Sequence, residues 1–181
     1  MLDADQTALA VIDVQGKLVG LVHEHQTVLP CIHQFIRACE AFDLPVLWTE
    51  QAPHKIGQSV ESIKELLSAK NKPIHKQSIS CYAEPQFVDE LRRINRCQIL
   101  VIGIETHACI YQTARDLHAH GYQVHVIADA VSSRRACDHH LAIARMRQEG
   151  IIITSMEMAI CELLKTADHP KFKDIIAHIK R

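Results

Sequence analysis

Three residues far apart in the chain can do nucleophilic chemistry if a fold brings them together: Asp13, Lys76 and Cys109. A thiol attacks a carbonyl as its thiolate, so it needs a base for its proton and a positive charge beside the anions that form. Asp13 can take the proton, Lys76 can stabilise both anions, and Cys109 can form a covalent intermediate. The backbone N–H groups of Ala108 and Cys109 are placed to serve as an oxyanion hole. Each residue also has a structural alternative. A free cysteine is often a small core residue, a strand-end acid often caps a helix or forms a turn, and a lone lysine is usually solvated. Rival chemistries fare worse. His107 lies two residues from Cys109, a spacing that does not face it on a helix. The 13 histidines are scattered without a His-Glu-x-x-His, and His23 and His25 fall in a polar stretch as solvated residues, not ligands. The turn after the first strand reads Asp-Val-Gln-Gly-Lys, with no dinucleotide-binding glycine pattern.

The elements around these residues decide whether they can meet. Cys109 follows the apolar run Ile99-Leu-Val-Ile-Gly103, whose unbroken β-branched character suits a strand covered on both faces. Ile110, Ala114 and Leu117 then recur at helical spacing, with Thr106 as N-cap and Gly121 as stop. Cys109 would then sit in the first turn, where free N–H groups and the helix dipole favour a thiolate. Leu9-Ala-Val-Ile12 is a second such run, ending at Asp13. From Pro30, Ile32, Phe35, Ile36 and Cys39 mark a helix, and Pro45 opens the strand Val46-Leu-Trp-Thr49, leading to Glu50 and Gln51. Residues 52–58 read as loop, and Val60, Ile63, Leu66 and Leu67 as a short helix. Pro73-Ile-His-Lys76 is a weaker strand ending at Lys76; a polar loop and a helix carrying Phe87, Val88 and Leu91 follow. Val124-His-Val-Ile127 is a strand ending near Asp129, Asp138 caps a helix that stops at Gly150, and Ile151-Ile-Ile-Thr154 is the last strand. A helix spans roughly 156–165, and Phe172, Ile175, Ile176 and Ile179 give the closing helix one apolar face.

Strands alternating with helices predict an α/β fold: a doubly wound six-stranded parallel sheet of order 3-2-1-4-5-6 with helices on both faces. In that order strands 1 and 4 are neighbours where the winding reverses, and ligands bind outside the carboxyl ends there. Those ends carry Asp13 and Cys109, and strand 3 delivers Lys76 to the same edge.

With 181 residues the chain fits one domain, 1–181, and its 48% hydrophobic and 23% charged content is that of a globular protein. Lys plus Arg total 20 against 21 Asp plus Glu, which leaves no electrostatic footprint for nucleic acid or an anionic membrane. The expected partner is a small-molecule substrate. Seven cysteines without a Cys-x-x-Cys pair argue against a disulfide framework and for a reducing compartment. An acidic start that runs straight into a strand, with no apolar run of membrane-spanning length, makes the expected location cytoplasmic.

Val11-Ile-Asp-Val-Gln15, Lys76 with Ser78 and Ser80, and Gly103-Ile-Glu-Thr-His-Ala-Cys109 resemble the three signature regions of the isochorismatase-like cysteine hydrolases. Thr49-Glu-Gln51 and Asp129-Ala-Val-Ser-Ser-Arg134 resemble the small isochorismatase-domain-containing proteins most closely. The resemblance implies an Asp-Lys-Cys triad at Asp13, Lys76 and Cys109, a non-proline cis peptide between Ile104 and Glu105, and a homo-oligomer to which the last helix's apolar face can contribute. Nicotinamidase members carry an Asp-x-His-x-His metal site after strand 2, where this chain has Thr49-Glu-Gln-Ala-Pro-His54, so no metal, no cofactor and no nicotinamide are expected. True isochorismatases act without the cysteine, so its presence points to hydrolysis of amide or related C–N bonds. The expected function is metal-independent hydrolysis of a small amide-like substrate through a thioester, with specificity in loops around 15–25, 50–60 and 77–84. A non-catalytic binding module of the same fold and a thiol redox sensor are the alternatives.

Overall fold

The computed structural model describes residues 1–179. In chain order it runs β1 (Thr7–Ile12), a single turn α1 (Gly16–Val19), α2 (His25–Ala41), β2 (Val46–Gln51), α3 (Pro53–Ile56), α4 (Glu61–Leu67) and β3 (Ile74–Lys76). Then follow α5 (Pro85–Ile94), β4 (Gln98–Ile104), a π-turn (Thr106–Ile110), α6 (Tyr111–Ala119), β5 (Gln123–Ser132), α7 (Ala136–Gln148), β6 (Ile152–Thr154), α8 (Met156–Leu164) and α9 (Phe172–Ile179). The sheet has six strands in the order β3-β2-β1-β4-β5-β6, and every pairing is parallel.

Every residue of β1 and β4 is buried. Parallel strands need crossover connections, the crossovers are helices, and those helices cover both faces of the central strands. Alternation along β1 divides the core. Leu9 and Val11 face Phe35 and Ile36 of α2, Ile160 of α8 and Ile175 of α9; Ala8, Ala10 and Ile12 face Phe87 and Leu91 of α5 and Ala114 and Leu117 of α6. Where β1 and β4 end at the winding reversal, Ile12 pairs with Gly103. Gly103 has φ of 122°, and a Cβ there would lie 1.9 Å from the Ile12 carbonyl oxygen, so only glycine lets these strands approach.

Several boundaries differ from those expected. Helix α2 starts at His25, a turn before Pro30, because Val28 is buried and the ring removes only an N–H partner of the exposed Gln26 carbonyl, which water can satisfy. The 52–58 stretch contains α3. Strand β5 passes Asp129 and continues to Ser132 across a break in its register with β4, and Asp129 Oδ1 accepts from the Met156 N–H (2.8 Å) at the start of α8. Thr106 is not an N-cap: the chain turns directly from β4 into the π-turn, and Thr106 Oγ1 hydrogen-bonds His139 Nδ1 at 3.0 Å. Asp138 lies inside the first turn of α7, whose N-cap is Arg135. On α9, Ile175 is fully buried, and Phe172 and Ile176 pack beside it against the α2 side of the core. Ile175 of the face expected to join copies is thus taken into this chain's own core, with Phe172 and Ile176 half-buried beside it; the Ile179 side chain lies outside the described residues.

Candidate active site

Four strand ends meet at the carboxyl edge of the sheet. Asp13 follows β1 with φ of 52°, a left-handed conformation that Asp tolerates better than most residues, and this turns its carboxylate back across the edge. Gln51 ends β2, Lys76 ends β3, and Cys109 sits in the π-turn after β4. The Lys76 side chain is 0% and that of Asp13 2% exposed, with Nζ 2.7 Å from Oδ2. No aligned hydrogen-bond donor reaches Oδ2 among the described residues, so the contact is an ion pair by distance, whereas Oδ1 accepts from Thr49 Oγ1 at 2.8 Å. Lys76 Nζ donates to Gln51 Oε1 (2.8 Å) and to the carbonyls of Ser78 (3.1 Å) and Ile79 (3.2 Å), and stands 3.5 Å from Cys109 Sγ. The Cys109 thiol points at Gln51 Oε1, 3.0 Å away.

Asp13, Lys76 and Cys109 are therefore in one contact set, and Gln51 stands in it with them. Gln51 is itself fixed: its N–H donates to Gln15 Oε1 (2.6 Å), and Gln15 Nε2 returns a bond to the Gln51 carbonyl (3.0 Å) and one to Gly57 (2.5 Å). Neither glutamine, nor Thr49, stands out as a chemical residue in the sequence; their position at or just beyond strand ends is the signal that finds them. A second thiol, Cys81, is fully buried and donates to Thr49 Oγ1 at 3.8 Å.

Burial, and then the Asp13 charge, push the Cys109 thiol up to about 12, against the opposing pull of Lys76. This overturns the expected helix-start thiolate. The N–H groups of Ala108 and Ile110 both donate to the Glu105 carbonyl, at 3.1 and 3.3 Å, so they are directed away from the sulfur. An oxyanion would have to share the Ala108 N–H with that carbonyl. Burial lowers the Lys76 ammonium, but Asp13 and the thiols of Cys81 and Cys109 outweigh it and the net direction is up, so Lys76 stays charged.

The Ile104–Glu105 peptide is cis. Glu105 Oε1 accepts from the Arg134 N–H (2.9 Å) and Nε (3.0 Å), tying this turn to the end of β5. His107 Nδ1 pairs with Ser133 Oγ at 2.9 Å. A cavity of about 370 Å³ opens onto Cys109, with Asp13, Gln51, Ile79, Ile104 and Ala108 in its wall. After β2, Glu50 Oε1 accepts from the Ser59 N–H (2.7 Å) and Gln51 is occupied as above. Among the described residues no three His, Cys, Asp or Glu side chains are grouped to hold a metal ion, and no helix is long and apolar enough to cross a membrane.

Comparison with known proteins agrees with this architecture. Residues 7–158 match the family model described as the isochorismatase domain. Isochorismatase domain-containing protein 2A of Mus musculus is 36% identical over 177 residues, covering 97% of this chain and 84% of that protein. The structure of MAR1 ribonuclease from Caenorhabditis elegans superposes with a TM-score of 0.92 at 36% identity, over 98% of this chain and 91% of that one. The Escherichia coli YcaC gene product, described as an octameric hydrolase of unknown specificity, shares the fold with a TM-score of 0.89 at 23% identity, over 98% and 86% of the two chains. The sheet order, the strand-end residues and these matches together place the chain in the isochorismatase family, with that family's hydrolase fold.

Proposed function

We propose that this chain is a single-domain, metal-independent cysteine hydrolase of small amide-like substrates. The observation that carries the reading is the buried contact set of carboxylate, ammonium and thiol at the floor of a 370 Å³ cavity. Asp13 removes the Cys109 proton as sulfur attacks the amide carbon, forming the C–S bond and an oxyanion that the Cys109 N–H receives, with the Ala108 N–H shared between it and the Glu105 carbonyl. Collapse of the oxyanion breaks the C–N bond, and Asp13 gives its proton to the leaving amine. Asp13 then takes a proton from water as the water oxygen attacks the thioester, and that proton returns to sulfur as the acid leaves. Lys76 holds the charge through each step.

A thiol held protonated does not suit the redox-sensor reading, because oxidation follows thiolate character. The nematode relative is named a ribonuclease. The 370 Å³ cavity over Cys109 and the even balance of 20 basic to 21 acidic residues support a small molecule as the substrate. Self-association into a homo-oligomer belongs to the same reading.

The test is a panel of small amides and a model RNA, with turnover and intact mass measured after acid quench. Wild type is expected to carry an acyl adduct that Cys109→Ala lacks, with turnover in the variant down by more than about 10³-fold and chelator without effect. Unchanged turnover in Cys109→Ala, or cleavage confined to RNA, refutes the reading.

A further inference from the structure

The mouth of the site has a composition that the catalytic set does not require. A second cavity, an open trench of about 670 Å³, adjoins the first across the side chains of Leu18, Lys55 and Ile56, which line both. Its walls are the short turns α1 and α3, packed so closely that a Cβ on Gly16 would stand 2.9 Å from the Ile56 carbonyl oxygen. Large apolar side chains lie open along this trench: Leu21 is 62% and Ile56 38% exposed. Exposed aliphatic residues collected in one groove mark a surface that something apolar covers.

The charges along the trench are one-sided. Among the described residues the only carboxylates lining the two cavities are Asp13, which is paired with Lys76, and Glu105, which is bonded to Arg134. Lys17 and Lys55 line the trench, and neither has a carboxylate partner among the described residues. A chain of net charge −1 thus places one uncompensated ammonium, Lys55, in the wall of the nucleophile's cavity and a second, Lys17, in the trench beside it. A neutral primary amide leaves both cations without a counter-charge; a substrate with an anionic end satisfies them.

We infer that the preferred substrate is an ω-amido carboxylate: a short aliphatic chain lying on Leu18 and Ile56, its amide at Cys109 and its carboxylate between Lys17 and Lys55. The inference rests on the proposed hydrolysis for its chemistry. The overall reaction, –CONH₂ plus water giving –COO⁻ and NH₄⁺, converts a monoamide into a dicarboxylate. It therefore belongs after a step that forms or frees a dicarboxylate monoamide. Ion pairing at an exposed cation of this kind is worth about a threefold preference per lysine at low salt, falling as salt screens it.

The test reads binding apart from turnover. Iodoacetamide labelling of Cys109 over hours at about pH 9.5, where the small thiolate fraction reacts measurably, followed by peptide mapping with exposed Cys97 as internal reference, is measured with glutarate, adipate, and the corresponding neutral diamides as protecting ligands. In parallel, kcat/KM is compared for glutaramate and adipamate against butyramide and valeramide. The dicarboxylates are expected to protect Cys109 at about tenfold lower concentration than the diamides in 20 mM buffer. Lys17→Met/Lys55→Met is expected to erase that ratio, as is about 0.5 M salt. Equal protection by dicarboxylate and diamide, or a ratio unchanged in the double variant, overturns the inference. Hydrolysis of neutral amides without any charge preference sinks it and leaves the amidase reading standing. Selective protection without hydrolysis of any amide sinks the amidase reading and leaves the anion-binding trench standing.

Discussion

Replacing Lys76 with methionine tests the arrangement most directly, because it keeps the volume of a fully buried side chain and deletes only the charge. At 2.7 Å the Lys76–Asp13 attraction is gross about 6 kcal/mol for an effective dielectric of about 20, and desolvation of the two ions offsets much of it. Removing one partner leaves the carboxylate buried with only the Thr49 hydroxyl, and such losses run to about 3–5 kcal/mol. The sign of the pH dependence follows. In wild type the raised Lys76 makes its contribution fully below 10.5 and loses it only above that. Urea unfolding of wild type, Lys76→Met, Asp13→Asn and the double variant at pH 5 and 7.5 should give a coupling of about 2–3 kcal/mol at the higher pH. Additive single effects, or a Lys76→Met cost below about 1 kcal/mol at both pH values, would show that the pair is not the electrostatic centre of the site.

Two further substitutions probe the scaffold. Gly103→Ala places a Cβ 1.9 Å from the Ile12 carbonyl oxygen at a positive φ, so it should cost more than about 4 kcal/mol, or prevent folding; a thermal midpoint near that of wild type would refute the close β1–β4 approach. His125, on β5, is 2% exposed with neither ring nitrogen hydrogen-bonded, and burial holds its pKa below the ordinary 6.5. Because the unfolded chain takes up that proton first, wild type should lose stability as pH falls through 6.5 towards the lowered folded value. His125→Leu should abolish that slope and add about 1–2 kcal/mol at pH 8 by removing two unsatisfied polar atoms. Urea midpoints at pH 8 and 5 that move in parallel for the two proteins would contradict this.

The sheet order was legible because each strand is short, apolar and punctuated, and because alternation with helices admits few topologies. Asp13, Lys76 and Cys109 were legible for the same reason: each closes a strand or the turn after it, so the order of the strands dictates who meets whom. What escaped the sequence was side-chain geometry. Nothing in Gln51 as a residue type announces that its amide oxygen will be the nearest acceptor to the thiol. That follows from Gln15 clamping its backbone, a contact between residues 36 positions apart. Thr106 has the residue type of a cap, but the π-turn that follows β4 turns its hydroxyl to His139 of α7, a contact 33 positions away that no local pattern encodes.

The resting geometry also constrains how the proposed reaction starts. A thiol near pKa 12, directed at a neutral amide oxygen, carries almost no thiolate at neutral pH. Lys76 cannot hold a preformed anion there, because Asp13 already takes most of its field, and the same carboxylate repels a thiolate. Proton transfer must then accompany attack, with Asp13 Oδ2 the acceptor still open to a new donor. As the thiol proton reaches that carboxylate, Lys76 loses one anion and gains another on the reacting centre. The ammonium thus exchanges one neighbouring anion for another, so no bare charge is left buried as the proton moves, and the pair keeps the step from stranding an ion inside the fold.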